Sequence, residues 1–170
     1  MNKLPADAFA ASIWHNAAIP RCKQFLWLLH RDRLPSAALL HHRHIVESPL
    51  CAYCGEHEDQ HHILLQCPPA KLVWRAIGWP AAPDLLDFRE LWALPALPDE
   101  TPPAVRSAII TAILWNIWKA RNSWIFDSSL HSAATTVCNI AGDLRLWTYR
   151  VKSTLASDFL RMWAQQLHVA

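Results

Sequence analysis

Residues 51–67, CAYCGEHEDQHHILLQC, constrain the chain more than any other stretch, because Cys51, Cys54, His62 and Cys67 fall in the spacing C-x2-C-x7-H-x4-C. Zinc takes four soft or borderline ligands at tetrahedral corners, and a C-x2-C pair delivers two thiolates from one tight turn. Gly55 directly follows the pair and can take a positive φ there without steric cost. The returning arm sets the His and the last Cys five residues apart, within reach on a short extended or helical segment. The spacing predicts a structural zinc knuckle whose four positions are all filled by protein. His61 stands beside His62 and is an equally available imidazole on spacing alone.

Two enzymatic patterns overlap this stretch, and neither holds. His57-Glu58-Asp59-Gln60-His61 matches H-E-x-x-H, but that chemistry needs a continuous helix carrying both imidazoles on one face. Here the motif begins three residues after Cys54, has no apolar face and is enclosed by cysteines. A deaminase pattern fails because His44 and Glu47 are spaced H-x-x-E, whereas such sites need H-x-E. Cys22 and Cys138 lie outside the knuckle with no identifiable His partner in sequence, so no thiol nucleophile is expected and the chain is read as a non-enzyme.

Hydrophobic residues make up 52% of the chain and charged residues 18%, which excludes a disordered polyelectrolyte. Ten Trp against three Gly point to helices packed through large aromatic anchors, or to a surface that binds something. The net charge of +2 hides an uneven spread. Residues 1–50 hold six Lys/Arg and three acids, residues 51–100 three and eight, and residues 101–170 seven and three. An odd count of five cysteines and the lack of a basic head with an apolar run at the start predict a reducing intracellular compartment, nuclear or cytoplasmic. Every long apolar run is broken by Lys, Arg, Asn or Pro before 18 residues, so no membrane partner is expected.

The chain reads as mainly α: short helices around the CCHC knuckle, then a helical C-terminal half. Phe9, Ile13 and Trp14 suggest a helix within 6–16, and a second begins at Pro20 with Cys22, Phe25, Leu26 and Leu29 on one face. Ser36 is the expected N-cap of a third, ending near His44. Ala70, Val73, Trp74 and Ile77 predict a helix after the knuckle, and Asp87 with Glu90 a capping box. Long helices are expected over 104–126, 130–152 and from about Ser157, and Gly142 weakens the second without breaking it. The expected organisation is a zinc-binding domain over 1–80, a Pro-rich linker with a short helix over 81–103, and a helical region over 104–170. Arg21, Lys23, Arg31, Arg33 and Arg43 form the best candidate for a phosphate-facing patch, although an ordinary solvated helix surface has the same composition.

The segment from about Ser12 to Pro80 resembles the reverse-transcriptase zinc-binding domain at the C-terminal end of plant non-LTR retrotransposon polyproteins. The residues that carry the likeness are Ile13-Trp14, Ile19-Pro20, Lys23, Phe25-Leu26-Trp27, Arg33-Leu34-Pro35-Ser36, Leu39 or Leu40 and His44-Ile45. They continue through Cys51-x2-Cys54-Gly55, Glu58, His62, Cys67-Pro68, Ala70 and Val73-Trp74. The later run Leu114-Trp115-Asn116-Ile117-Trp118-Lys119-Ala120-Arg121-Asn122 through Phe126 is similar to the helical segment that follows that domain in the same elements. The resemblance implies Zn2+ as the cofactor, Cys51, Cys54, His62 and Cys67 as ligands with His62 preferred over His61, and an accessory role against template RNA or single-stranded DNA. It also implies a tail fragment or stand-alone derivative, since no F/Y-x-D-D pair of a polymerase is found in the chain. A different class of reading is a structural or protein-interaction domain, in which exposed Trp and Leu of the C-terminal helices meet the reverse transcriptase or a second copy of the chain.

Overall fold

The protein is described by a computed structural model covering residues 7–95, 97 and 100–169. It is mainly helical, and among the described residues there is no strand, only an antiparallel bridge between Leu50 and His57. Among the described residues seven α-helices follow in order: α1 Ala8–Trp14, α2 Pro20–His30, α3 Ala37–His42, α4 Pro68–Ala76, α5 Pro103–Asp127, α6 Ala133–Trp147 and α7 Thr154–Val169. Short tight turns of helix lie at Ala82–Asp84, Phe88–Ala93 and Thr148–Arg150, and a wide π turn at His62–Gln66.

Local chemistry sets most of these boundaries. Asp7 caps α1 by accepting the Phe9 and Ala10 amides, Ser36 caps α3 through Leu39 N–H at 3.2 Å, and Ser132 caps α6 through Thr135 N–H at 3.0 Å. Pro occupies the first turn of α2, α4 and α5, where its missing N–H costs nothing. Ser153 starts α7 earlier than apolar spacing suggested, because its hydroxyl accepts Ala156 N–H at 3.3 Å. The Asp87/Glu90 capping box is present, yet the segment it opens winds as a 3-10 helix.

The long helix α5 is the centre of the molecule. Its apolar residues wrap the whole circumference, so it needs neighbours on every side, and α1, α2, α6, α7 and the π turn all pack against it. Val105, Ile109, Ile110, Ile113, Leu114, Ile117 and Trp118 are buried. The apolar face that the sequence offered for another chain is therefore, over 105–118, inside the protein, and Phe126 is the exposed large apolar residue of this helix. Buried hydrophobic residues form one continuous cluster from Ile13 to Leu167. Tryptophans join its ends: Trp74 of α4 stacks on Trp79 at 5.9 Å, and Trp79 meets Trp163 of α7 edge-on at 5.9 Å.

A candidate metal centre and its closure

The 49–67 segment is shaped by backbone bonds before any metal is considered. Cys51 N–H donates to Glu56 O at 2.7 Å and Glu58 N–H to Pro49 O at 2.9 Å, closing a small hairpin. At its tip Gly55 N–H donates to Cys51 O at 2.9 Å, and Gly55 has φ +78°, so the expected need for glycine is real. On the returning arm Asp59 accepts His62 N–H at 2.7 Å, and the π turn is closed by Cys67 N–H donating to His62 O at 2.7 Å. That wide turn has a geometric purpose. Residues five apart on an α-helix point about 140° away from one another, whereas an i to i+5 turn returns them to nearly the same side. Cys67 is also the N-cap of α4, where helix N–H groups favour a thiolate.

The result is a cluster in which the donor atoms of Cys51, Cys54, His62 and Cys67 all lie within 4.8 Å of one another. Cys51 Sγ and Cys67 Sγ are 3.7 Å apart, and Cys54 Sγ and His62 Nε2 are 3.3 Å apart. Two thiolates on one tetrahedral zinc would be separated by ~3.8 Å, given Zn–S bonds of about 2.3 Å, so the residues fit the metal. A disulfide would need about 2.05 Å between sulfurs, and all five cysteines are free. The hydrogen bond between the two sulfurs pushes the Cys51 thiol down, while the same bond and burial push Cys67 up. His57 and Glu58 are not helical, which removes the geometry H-E-x-x-H requires. His61 sits instead in a separate groove with Leu34, Asp59 and Phe88.

Glu58 closes the centre from behind. It is only 1% exposed, and its carboxylate accepts Ala37 N–H at 2.9 Å, Arg121 Nε at 3.3 Å and a second bond from Arg121 Nη2. Its carbonyl accepts Ala38 N–H at 2.9 Å. One buried acid therefore ties the metal hairpin to α3 and, 63 residues on, to α5, where the Arg121 guanidinium lies 5.3 Å from the Trp118 ring centre. Beside this pair an apolar cavity of about 140 Å³ runs between the hairpin and the α5–α6 connection, walled by Tyr53, Leu72, Trp124, Ile125 and Leu130. The Glu58–Arg121 pairing was not legible from spacing, because nothing in sequence links an acid in a Cys-rich loop to an arginine in a distant helix.

The basic residues are placed differently. Arg21, Arg31, Arg33 and Arg43 are exposed and Lys23 is half-buried, its Nζ donating to Trp14 O at 3.0 Å. None of the five is in an ion pair among the described residues. Helical geometry puts Arg21 and Lys23 about 160° apart around α2, so they do not share one face. Lys23, Trp27 and Arg31 do follow a single i, i+4, i+8 stripe.

The described residues form a mainly helical fold that brings together a Cys3His cluster able to hold a metal ion, the donor set of a structural zinc site. Comparison with known families gives a match over part of the chain: residues 1–74 are similar to the family described as zinc-binding in reverse transcriptase. The match ends at Trp74 and covers less than half of the 170 residues. No curated protein and no solved structure matches the chain. Among the described residues no helix is long and apolar enough to cross a membrane.

Proposed function

We propose that the chain is a non-catalytic nucleic-acid-binding module, held in shape by one zinc ion and derived from a retrotransposon reverse transcriptase. The observation that carries the reading is the convergence of four protein donors, Cys51, Cys54, His62 and Cys67, in a family otherwise described by zinc binding. Four protein ligands leave no coordination position for water or substrate, so the metal's role is to hold the hairpin, the π turn and the start of α4 together. The chemistry it supplies is folding free energy, on the order of 10 kcal/mol of apparent binding for such sites. The five free thiols suit a reducing compartment. RNA or single-stranded DNA is the partner, approached through Arg21, Lys23, Arg31, Arg33 and Arg43, none of which is in an ion pair among the described residues.

Native mass spectrometry and oligonucleotide titration test the two halves separately. One zinc per chain is expected in the wild type and in His61→Ala, with loss or strong weakening in His62→Ala. Zinc that ignores His62 and depends on His61 would overturn the ligand set. Replacing the five basic residues by Gln should weaken single-strand binding at low salt while leaving zinc content intact, and unchanged binding would remove the nucleic-acid assignment.

A further inference from the structure

From Ala8 to Arg31 the chain contains no acidic residue, while Arg21, Lys23 and Arg31 contribute positive charge. Within this acid-free span the two helices do something unusual with their aromatics. Ile13 is fully buried, but the adjacent Trp14 is 47% exposed. It is held there by a rigid connection: Asn16 donates to Ile13 O at 3.0 Å and accepts Ala18 N–H at 2.8 Å, which fixes the chain between α1 and α2. Trp14 is thereby laid beside the half-buried Trp27, ring centres 6.0 Å apart and tilted by 43°.

Cations flank the two rings. The Arg31 guanidinium stands 5.6 Å from the Trp27 ring centre, and Lys23 donates to the carbonyl of Trp14 itself. Lys23 and Arg31 lie about 12 Å apart along the helix axis, with Trp27 midway between them. A third cation arrives from the far end of the sequence: Arg150, just after α6, donates to Ala17 O at 3.0 Å. Its charge reaches Lys23, whose pKa is lowered first by burial and then by repulsion from Arg150. Among the described residues Lys23, Arg31 and Arg150 form no ion pair, while Asp7 pairs with His30 beside Trp27; cations gathered close enough to repel one another gain from an anionic ligand. The Trp14 indole, half in solvent beside Trp27, offers a surface that gains from a planar one. A single-stranded nucleic acid supplies both, since every base has a face to stack and every linkage a phosphate.

We propose that Trp14 and Trp27, flanked by Lys23, Arg31 and Arg150, form a stacking platform for unpaired bases of single-stranded nucleic acid. This rests on the nucleic-acid reading above and deepens it: it moves the contact from a diffuse basic surface to the α1–α2 face, adds Arg150, and leaves Arg33 and Arg43 peripheral. Stacking tolerates any base, so the platform selects single strands over duplex and not one sequence over another.

The test is fluorescence anisotropy of labelled oligouridylate, oligothymidylate and a matched duplex, titrated with the zinc-loaded full chain. Trp14→Ala and Trp27→Ala are each expected to weaken single-strand binding about five- to a hundredfold, from the usual worth of one base–aromatic stack. Trp14→Phe should remain within about threefold of wild type, because a smaller ring still stacks. Arg150→Gln should weaken binding and reduce the slope of log K against log salt by about 0.7, the contribution of one phosphate contact on a single strand. Trp14 is half in solvent, so zinc content and unfolding midpoint of Trp14→Ala should match wild type, which separates a lost contact from a lost fold. Binding that survives Trp14→Ala but falls with Arg33→Gln and Arg43→Gln overturns the platform alone. Equal affinity for duplex overturns it too. A wild type that binds no oligonucleotide overturns both this and the broader reading, and self-association lost in Trp14→Ala would then assign the face to a contact between two copies. The ratio of oligouridylate to oligothymidylate affinity distinguishes an RNA ligand from a DNA ligand.

Discussion

Replacing Arg121 by Met isolates the contact that joins the metal hairpin to the centre of the fold. Glu58 is 1% exposed and Arg121 has 13% of its side chain accessible, so neither charge is hydrated as it would be in the unfolded chain. Arg121 supplies two of the three hydrogen bonds that the Glu58 carboxylate accepts. Met at 121 keeps the aliphatic packing on Trp118 but leaves a buried carboxylate with only the Ala37 amide. Removing one partner of a buried pair costs about 3–5 kcal/mol, against a total stability of roughly 5–15 kcal/mol for a domain. The double variant Glu58→Leu/Arg121→Met should recover most of that loss, because it removes the uncompensated charge as well as the attraction. Urea unfolding at fixed free zinc measures all four corners of the cycle. The exposed Asp158–Arg161 pair, at 3.7 Å with both side chains more than half accessible, gives the contrast: Arg161→Met should cost ~0–1 kcal/mol. A loss below about 1 kcal/mol in Arg121→Met, or a double variant no more stable than the single, would refute the claim that this pair closes the site.

Two glycines with open space around them should respond in opposite directions. Neither Gly55 nor Gly142 has an atom within 4 Å of an added Cβ; Gly142→Ala in α6 should stabilise by about 0.5–1 kcal/mol through helix propensity, and Gly55→Ala, at φ +78°, should destabilise by roughly 1–2 kcal/mol, both read as shifts in urea midpoint. Iodoacetamide should modify exposed Cys138 in the native protein and reach fully buried Cys22 only on unfolding, which peptide mass mapping would show. Burial and then the charge of Asp143 push the Cys22 thiol up from 9.0 to about 12, so its contribution is intact below pH 9 and lost as pH rises from there toward 12; Cys22→Ala should remove that part of the alkaline slope. A fragment of residues 1–102 should bind zinc more weakly than the full chain, because it lacks Arg121 and the Trp115 and Trp118 rings that pack on Phe25 at 5.4 and 6.2 Å; competition with a chelator would measure it.

Features that depend on neighbours in sequence were legible in the sequence. The C-x2-C turn with its glycine, the Ser36 cap, the prolines that open helices and the apolar pattern of α5 with no internal Gly or Pro are each decided within a few residues, and each is found where local chemistry puts it. The π turn was not legible, because its only signal is the need to bring His62 and Cys67 to one side, and that need exists only once a common centre is assumed. Arg150 was missed for a related reason. It is unremarkable in its own segment, and its place beside Ala17 follows from how α6 returns along the bundle. The five basic residues were grouped by proximity in sequence, whereas a helix sorts residues by angle, which separates Arg21 from Lys23 and draws Trp27 between Lys23 and Arg31.

The hairpin that carries Cys51 and Cys54 buries little of its own side-chain surface: Ala52, Tyr53, Gly55, Glu56 and His57 are all exposed. Such a segment cannot offset its loss of conformational entropy by hydrophobic burial alone. Two polar closures take that role at either end of it, the Cys3His cluster at the tip and the Glu58–Arg121 pair at the base. They differ in what they respond to. The cluster depends on metal supply and on thiolate formation, while the ion pair depends on α5 being in place. Zinc binding and docking of α5 therefore act on the same few residues between Cys51 and Cys67. Each closure should strengthen the other, because a hairpin already ordered by one loses less entropy on accepting the second.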